Sequence, residues 1–191
     1  REAHATARMA ALLARYTPAS LARIERADAA LVLGEDLTGT APRAALALRQ
    51  TARRAADRLA EEKGVPVWLD NAARVAGEGR RSPIALVTAL PDALDEIATV
   101  PLRRTPAEIA RFGHDVAAAL NGDRVRDGEA RAVAEALAQS DEPVVIAGFG
   151  TGRGDVAEAA AAVAAALDGK AALALFPAEA NSLGLSLIAP Q

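Results

Sequence analysis

The sequence predicts an α/β fold, with a parallel sheet layered by helices. Two short apolar runs, residues 29–33 and 143–147, are each followed by a glycine, a polar loop and a long helical pattern. Apolar runs without polar alternation are typical of parallel strands that are covered on both faces. Two such strand–loop–helix units, with further strand and helix patterns between them, therefore indicate a parallel sheet with helices on its faces.

Composition favours a globular domain and excludes several kinds of site. Hydrophobic residues make up 51% of the 191 residues and aromatic residues only 3%, so alanine, leucine and valine must fill a core between closely approaching helices. The chain has no cysteine, which excludes disulfides, thiolate nucleophiles and iron–sulfur ligation within it. His4 and His114 are far apart in the sequence, so we expect no metal site.

Charge and hydropathy limit the partners. A net charge of −3 provides no broad basic face, which argues against nucleic-acid binding. The paired arginines at 53–54, 80–81 and 103–104 fit a solvated surface; the alternative is that some face an acidic partner subunit. No apolar run can span a bilayer and no basic leader opens the chain, so we expect a soluble, cytoplasmic protein without direct membrane insertion. The start at Arg1, without methionine, favours a segment of a longer polypeptide.

Hydrophobic periodicity and start and stop signals define the elements. The predicted helices are 2–16, a short helix through Leu21 and Ile24, 42–63, 71–76, 91–98, 105–120, 129–139 and 155–168. The predicted strands are 29–33, 84–88, 99–102, 143–147 and 171–176. Residues 65–69 fit either a strand or the start of a helix, and 77–83 fit a loop. Residues 122–128 form a charged linker and a possible sub-lobe boundary within one domain over 1–191.

Capping residues set the expected helix ends. The expected starts are Thr17 with Pro18 for the short helix, Thr40 followed by Pro42, and the capping boxes Thr105 with Glu108 and Asp155 with Glu158. The expected stops are Gly64, Asn121 with Gly122, and Gly169.

The glycine-rich turn at 148–154 fails as a dinucleotide-binding fingerprint. That motif needs glycines at its first, third and sixth positions. The sixth position is Arg153 when the count starts at Gly148, and Asp155 when it starts at Gly150. We favour a tight turn that lets a strand and a helix pack. The alternative is a phosphate on the helix start, which the charge of Asp155 opposes.

Glu35 and Asp36 form an acidic pair after the first strand. Paired carboxylates can divide acid and base roles. Adjacent residues on an extended segment point to opposite faces, however, so we do not expect them to share one site. Asp36 and Thr38 are instead expected to bond the amides of their own loop.

Residues 27–50 resemble the corresponding stretch of the G-subunit family of bacterial NADH-quinone oxidoreductase, respiratory complex I. The likeness continues around Trp68, through 143–150 and into 181–184, so it covers nearly the whole chain. The large C-terminal part of that family resembles the molybdopterin oxidoreductases. The resemblance implies that the chain is an internal segment of the subunit with a Rossmann-like fold, as in the molybdopterin oxidoreductases.

In cofactor-bearing molybdopterin oxidoreductases, the first loop contacts molybdopterin guanine dinucleotide. Gly34 and Pro42 match that loop, but Asp36 and Leu37 replace its asparagine–proline pair and place a carboxylate in the path of the polyphosphate. The resemblance therefore implies a vestigial site with no catalytic residue and no metal ligand. Its candidate positions are Gly34, Glu35, Asp36, Thr38, Thr40, Pro42, Gly148, Gly150, Asn181 and Gly184.

The resemblance also implies a structural role in a larger enzyme. The parent complex passes electrons from NADH through FMN and iron–sulfur clusters to quinone, coupled to proton translocation. The segment is expected to carry no cofactor and to pack on the cluster-bearing part of its subunit and on neighbouring peripheral-arm subunits, at the inner face of the bacterial plasma membrane.

Two alternatives remain open on the sequence. One is a working domain of a molybdenum or tungsten oxidoreductase, such as formate dehydrogenase, that holds bis-molybdopterin guanine dinucleotide at 34–42 and 181–184. The other is an independent nucleotide-binding enzyme with phosphate at 148–154.

Overall fold

The computed structural model describes residues 8, 11–12, 15–16, 18–149, 151–177, 181, 184 and 188. Its helices are α1 (Leu21–Arg26), α2 (Leu37–Thr40), α3 (Pro42–Glu62), α4 (Asp70–Ala76), α5 (Pro106–Leu120), α6 (Gly128–Gln139) and α7 (Gly154–Ala166), with a 3-10 helix at Ala93–Glu96. Its strands are β1 (Ala29–Leu33), β2 (Ile84–Thr88), β3 (Val100–Arg103), β4 (Pro143–Gly148) and β5 (Ala172–Phe176).

The five strands form one parallel sheet in the order β3-β2-β1-β4-β5. Leu31 in the middle of β1 lies opposite Ala85 of β2 and Val145 of β4. The chain therefore builds one half of the sheet from β1 to β3, and then adds β4 and β5 on the other side of β1. The predicted α/β class and its parallel, helix-layered sheet are confirmed, in a Rossmann-like arrangement.

Helices cover both faces of the sheet. Ala29, Leu31 and Leu33 belong to a core that α5, α6 and α7 complete, whereas Ala30 and Val32 belong to a core formed with α1 and α3. All five residues of β1 are buried. Burial on both faces is the reason that this strand shows no polar alternation in the sequence.

Helices α5 and α7 approach each other closely over β1. A Cβ atom at Gly113 would lie 2.8 Å from Leu33 Cδ1 and 2.9 Å from Ala159 Cβ. Neither distance leaves room for another methyl group, so a glycine on α5 and an alanine on α7 set the spacing of the two helices. The prediction of an alanine-filled core between close helices is confirmed in this layer.

The predicted cap of the first short helix is wrong. Ser20, rather than Thr17 with Pro18, precedes α1, and its hydroxyl accepts a hydrogen bond from the Arg23 amide at 3.2 Å. A serine directly before the first helical residue satisfies an otherwise free amide, which Thr17 is too distant in the chain to do.

The predicted cap of the long helix is also wrong. Thr40 is the last residue of α2, a single helical turn within the predicted loop, and α3 starts after Ala41 without a side-chain cap. Asp36 caps α2 by accepting a hydrogen bond from the Gly39 amide at 2.9 Å. Pro42 is the first residue of α3, as predicted.

The capping box predicted at Asp155 and Glu158 is not formed. Helix α7 begins at Gly154, and no side chain caps it. Asp155 instead pairs with Arg153, and Glu158 lies 2.5 Å from a guanidinium nitrogen of Arg8. Both carboxylates therefore bind arginines, and the Asp155 carboxylate also interacts with its own amide and that of Val156.

Other helix boundaries follow the sequence. The Thr105 amide donates to the Glu108 carboxylate at 2.9 Å in a capping box. Gly64 has a φ of +74° after α3, as a helix-ending glycine should.

Two other predicted elements differ from the structure. Residues 65–69 form a turn, neither a strand nor a helix. The helix predicted at 91–98 is reduced to the 3-10 turn.

Two predictions concern the amino-terminal helix and the connection between α5 and α6. The helix predicted at 2–16 lies mostly outside the described residues. Residues 121–127 connect α5 to α6, and both helices contribute to the same core; a sub-lobe boundary near 122–128 stays a prediction. None of the described helices combines the length and apolar character needed to cross a membrane.

Candidate functional site

The candidate site lies where β1 and β4 end side by side. The chain leaves these two neighbouring strands toward opposite halves of the sheet, because β2 lies beyond β1 and β5 beyond β4. Open α/β sheets bind their ligands in the crevice outside such a switch point. The crevice is bordered by residues 34–41 and by the described residues 149 and 151–153, and half of the predicted vestigial positions lie in the first of these loops.

The side chain of Glu35 occupies the crevice. Glu35 is only 1% exposed, and its Oε1 accepts a hydrogen bond from the Thr40 hydroxyl at 2.6 Å. A Cβ atom at Gly148 would overlap the Glu35 carboxylate, so the carboxylate rests directly on the end of β4. Only a residue without a side chain can occupy position 148 while Glu35 holds this place.

Gly34 brings the two loops together. Its φ is +67°, a backbone conformation that glycine adopts easily, and its amide donates to the Val87 carbonyl at 2.8 Å. A Cβ atom at this position would lie 3.1 Å from the Thr151 methyl group. The chain therefore turns sharply after β1 and packs against the loop after β4.

The two acidic residues of the first loop have different roles. Glu35 is buried in the crevice, whereas Asp36 is exposed and caps α2. The expectations that they face different sides and that Asp36 bonds an amide of its own loop are confirmed. The family resemblance implied that the Asp36 carboxylate lies in the path of the polyphosphate, and this is wrong. The carboxylate in the crevice is that of Glu35.

The remaining candidate positions are spread more widely. Thr38 is exposed on α2 and Pro42 is exposed at the start of α3. A Cβ atom at Gly184 would lie 2.5 Å from Asn181 Oδ1, so these two residues are neighbours. Gly150 lies outside the described residues. A ligand role for these positions stays a prediction.

An ion pair between Arg153 and Asp155 lies at the start of α7. Arg153 donates to the Asp155 carboxylate, with Nε at 3.0 Å, and this hydrogen bond holds the pKa of that carboxyl below its usual range. An ionised carboxylate beside the first turn of a helix repels a phosphate that would bind the same amides. The predicted opposition of Asp155 to a phosphate thus has a geometric basis.

A polar cavity of about 500 Å³ lies at the opposite, amino-terminal edge of the sheet. Asp28 lies there and accepts hydrogen bonds from the Ser140 hydroxyl and from the amides of Asp141 and Glu142, the latter two at 3.0 and 2.8 Å. Arg58 Nη1 lies 2.9 Å from Asp28 Oδ2. Because these bonds fix the start of β1 to the start of β4, we assign Asp28 a structural role that the sequence analysis missed.

Metal-binding side chains are not clustered in the part of the chain that the structure describes. No group of three or more histidine, cysteine, aspartate or glutamate residues there is placed to hold a metal ion. The side chains at the crevice are suited to hydrogen bonding and packing within the chain.

Fold and site together define a Rossmann-like α/β domain whose ligand crevice is filled from within by a carboxylate. Comparison with known proteins then gives a specific relationship. The chain is 38% identical over 176 residues to the G subunit of NADH-quinone oxidoreductase from Pseudomonas fluorescens, a match that covers 86% of the chain and 20% of the relative. No protein-family model matches the chain.

Two further relatives carry the same name. The G subunit from Shewanella oneidensis is 36% identical over 181 residues, and that from Escherichia coli strain K12 is 35% identical over 184 residues. These matches cover 89% and 91% of the chain but 20% of each relative. The chain thus spans about a fifth of the length of the curated relatives it matches, and its resemblance to the G-subunit family is confirmed.

Proposed function

We propose that this chain is a structural module of the G subunit of NADH-quinone oxidoreductase and holds no pterin dinucleotide of its own. One observation carries the proposal: the Glu35 carboxylate lies in the crevice at the switch point, against Gly148. The similarity to G-subunit sequences supplies the identity of the larger protein.

The position of Glu35 opposes a polyphosphate ligand for two reasons. A ligand that entered between the ends of β1 and β4 would have to displace a buried carboxylate from its hydrogen bond with Thr40. The phosphate oxygens would then compete with the Glu35 carboxyl oxygens for the few hydrogen-bond donors of a region sheltered from water. Tight binding of such a ligand would require the loop to reorganise.

The larger function follows from the relatives. We propose that the whole protein takes part in electron transfer from NADH through FMN and iron–sulfur clusters to quinone, coupled to proton translocation. The clusters would lie in other segments, since this chain contains no cysteine. Its partners would be the rest of its subunit and neighbouring subunits of the peripheral arm, at the cytoplasmic face of the membrane.

The molybdenum or tungsten cofactor domain is the weaker hypothesis. The relatives described above are named as the G subunit of NADH-quinone oxidoreductase, and the crevice that such a cofactor would use contains Glu35. An independent nucleotide-binding enzyme is disfavoured as well, because Asp155 lies at the helix start that a phosphate would use.

Isothermal titration calorimetry tests the proposal. The purified protein is titrated with molybdopterin guanine dinucleotide and, as a simpler probe, with GDP. We expect no heat of binding from the natural chain, nor from an Asp36→Asn/Leu37→Pro variant, because Glu35 still fills the crevice in both. A Glu35→Ala variant is expected to open the crevice. Micromolar binding by the natural chain would overturn the proposal.

A further inference from the structure

An arginine groove forms a second cavity, separate in its lining from the Glu35 crevice. It is a cavity of about 440 Å³ between α3, α4 and the loop at 77–81, and we name it for the five arginines that line it. These are Arg49, Arg53, Arg74, Arg80 and Arg81. The carboxylates in the lining are those of Asp57 and Asp70. The groove therefore has a positive excess although the chain as a whole has a net charge of −3.

Hydrogen bonds hold several of these guanidinium groups in place. Arg53 Nη2 lies 2.9 Å from Asp70 Oδ1, and Arg74 Nη2 donates to Asn71 Oδ1 at 2.8 Å. A guanidinium group has five N–H donors, so one such bond leaves most of its donors available. Anchored arginines lose less conformational freedom when they bind, which favours recognition of a carboxylate.

Glu96 anchors the other side of the groove. Its carboxylate pairs with Arg49, and its backbone carbonyl accepts a hydrogen bond from Arg81 Nη1 at 2.7 Å. When the charge of Glu96 is counted with those of the lining residues, positive charge still exceeds negative charge. The groove is therefore not neutralised by its own acidic neighbours.

Large exposed apolar side chains lie close in sequence to residues that line the groove, and we call them its apolar border. Trp68, shortly before α4, is 78% exposed, and Val75 on α4 is 79% exposed. Leu46 is 59% exposed and lies one helical turn before Arg49 on α3. Tryptophan and arginine are both enriched among the residues that dominate the binding energy of protein–protein interfaces.

We propose that the arginine groove and its apolar border form a docking surface for an acidic segment of a second polypeptide. Carboxylates of that segment would bind the anchored guanidinium groups, and its apolar side chains would cover Trp68 and Val75. A free phosphate would satisfy only the charges and would leave the apolar border exposed. The proposal rests on the structural role proposed above, because it identifies the surface by which the module joins its partner.

Photo-crosslinking in the native assembly tests this surface. A benzoylphenylalanine residue replaces Trp68, or Val75 in a parallel preparation, and the assembly is purified, irradiated and analysed by peptide mass spectrometry. The expected product joins either position to a segment of another polypeptide in which aspartate and glutamate outnumber lysine and arginine. An Arg53→Glu/Arg74→Glu variant should lower its yield about tenfold, because two attractive contacts become repulsive.

Arg131→Glu provides the matched control. Arg131 is exposed on α6, which packs on the other face of the sheet, so its reversal should leave the cross-link yield unchanged. Circular dichroism of all variants checks that the fold is retained.

The other possible cross-linking results contradict either the docking surface or the proposed function. Absence of any cross-link from both positions would overturn the docking surface, as would cross-links to a neutral or basic segment, a lipid, a nucleic acid or a second copy of this chain. An acidic partner segment from a protein outside NADH-quinone oxidoreductase would leave the docking surface standing and overturn the proposed function instead.

Discussion

The carboxylate of Glu35 rests on the backbone of Gly148, so the end of β1 and the end of β4 are joined by a buried acidic side chain at the switch point of the sheet. This contact places an acidic side chain where related folds place a ligand. It also makes the stability of the domain depend on the residue type at position 148.

We expect Gly148→Ala to destabilise the domain by about 1–3 kcal/mol, because the added methyl group must displace Glu35 or the backbone. Urea unfolding followed by circular dichroism measures the change. Gly128→Ala is the control, since the nearest atom that its Cβ would meet, on Arg131, is 3.8 Å away. Equal stability of the Gly148→Ala variant and the natural protein would show that the carboxylate does not occupy this space.

The hydroxyl of Thr40 is expected to stabilise the buried carboxylate. Thr40→Val removes a hydroxyl whose single hydrogen is shared between the Glu35 carboxylate and the Asp36 carbonyl, and should lower the free energy of unfolding by about 1–3 kcal/mol. Thr38→Val makes the same chemical change at an exposed position two residues earlier in α2 and should alter stability little. A similar effect of both substitutions would contradict the assigned role of Thr40.

Asp28 should make stability dependent on pH. Burial opposes ionisation of this carboxyl, but hydrogen bonds from Ser140 and from the Asp141 and Glu142 amides, with the charge of Arg58, outweigh it and hold its pKa below the usual range. A pKa lowered by folding stabilises the native state above the pKa of the unfolded chain, about 3.9. That contribution disappears as the pH falls through the lower, native pKa.

Chemical denaturation between pH 7 and pH 2.5 measures this contribution. Asp28→Asn should lower the free energy of unfolding by about 1–3 kcal/mol at pH 7, and the difference from the natural protein should shrink below about pH 4. A difference that stays constant across this range would exclude ionised Asp28 as its source.

Gly113 should limit the spacing of α5 and α7. Gly113→Ala brings a methyl group within 3 Å of both Leu33 and Ala159, and we expect a loss of about 1–3 kcal/mol of unfolding free energy. A thermal or urea unfolding curve measures it. Ala159→Gly removes one of the clashing methyl groups but costs about 1 kcal/mol as a glycine within a helix. The double variant should therefore lose less stability than the two single variants together, and strict additivity would place the strain elsewhere.

Much of the fold could be predicted because its strands are short, apolar and buried on both faces. The runs at 29–33, 84–88 and 143–147 lack polar alternation and are too short for a typical buried helix. The strand order could not be predicted in the same way, because Ala29 of β1 pairs with Pro143 of β4 and local patterns carry no information on so distant a pair.

The site was harder to predict because it depends on side-chain direction after a turn. The positive φ of Gly34 determines that Glu35, not Asp36, enters the crevice. Thr40 has the sequence of a helix cap, but Asp36 starts a one-turn helix before it and Thr40 then bonds to Glu35. The sequence did show a glutamate directly after a glycine at the end of a strand, which was enough to select Glu35 as a candidate. It did not show that this side chain contacts Gly148.

The proposed structural role is tested most directly by measuring NADH oxidation by quinone per assembled complex, with variants of this chain in the full-length subunit. We expect Gly148→Ala and Gly113→Ala to lower the amount of assembled complex while turnover per assembled complex stays unchanged. A variant at Glu35 or Gly148 that leaves assembly intact but lowers turnover per complex would show that the crevice takes part in the reaction, and would contradict a purely structural module.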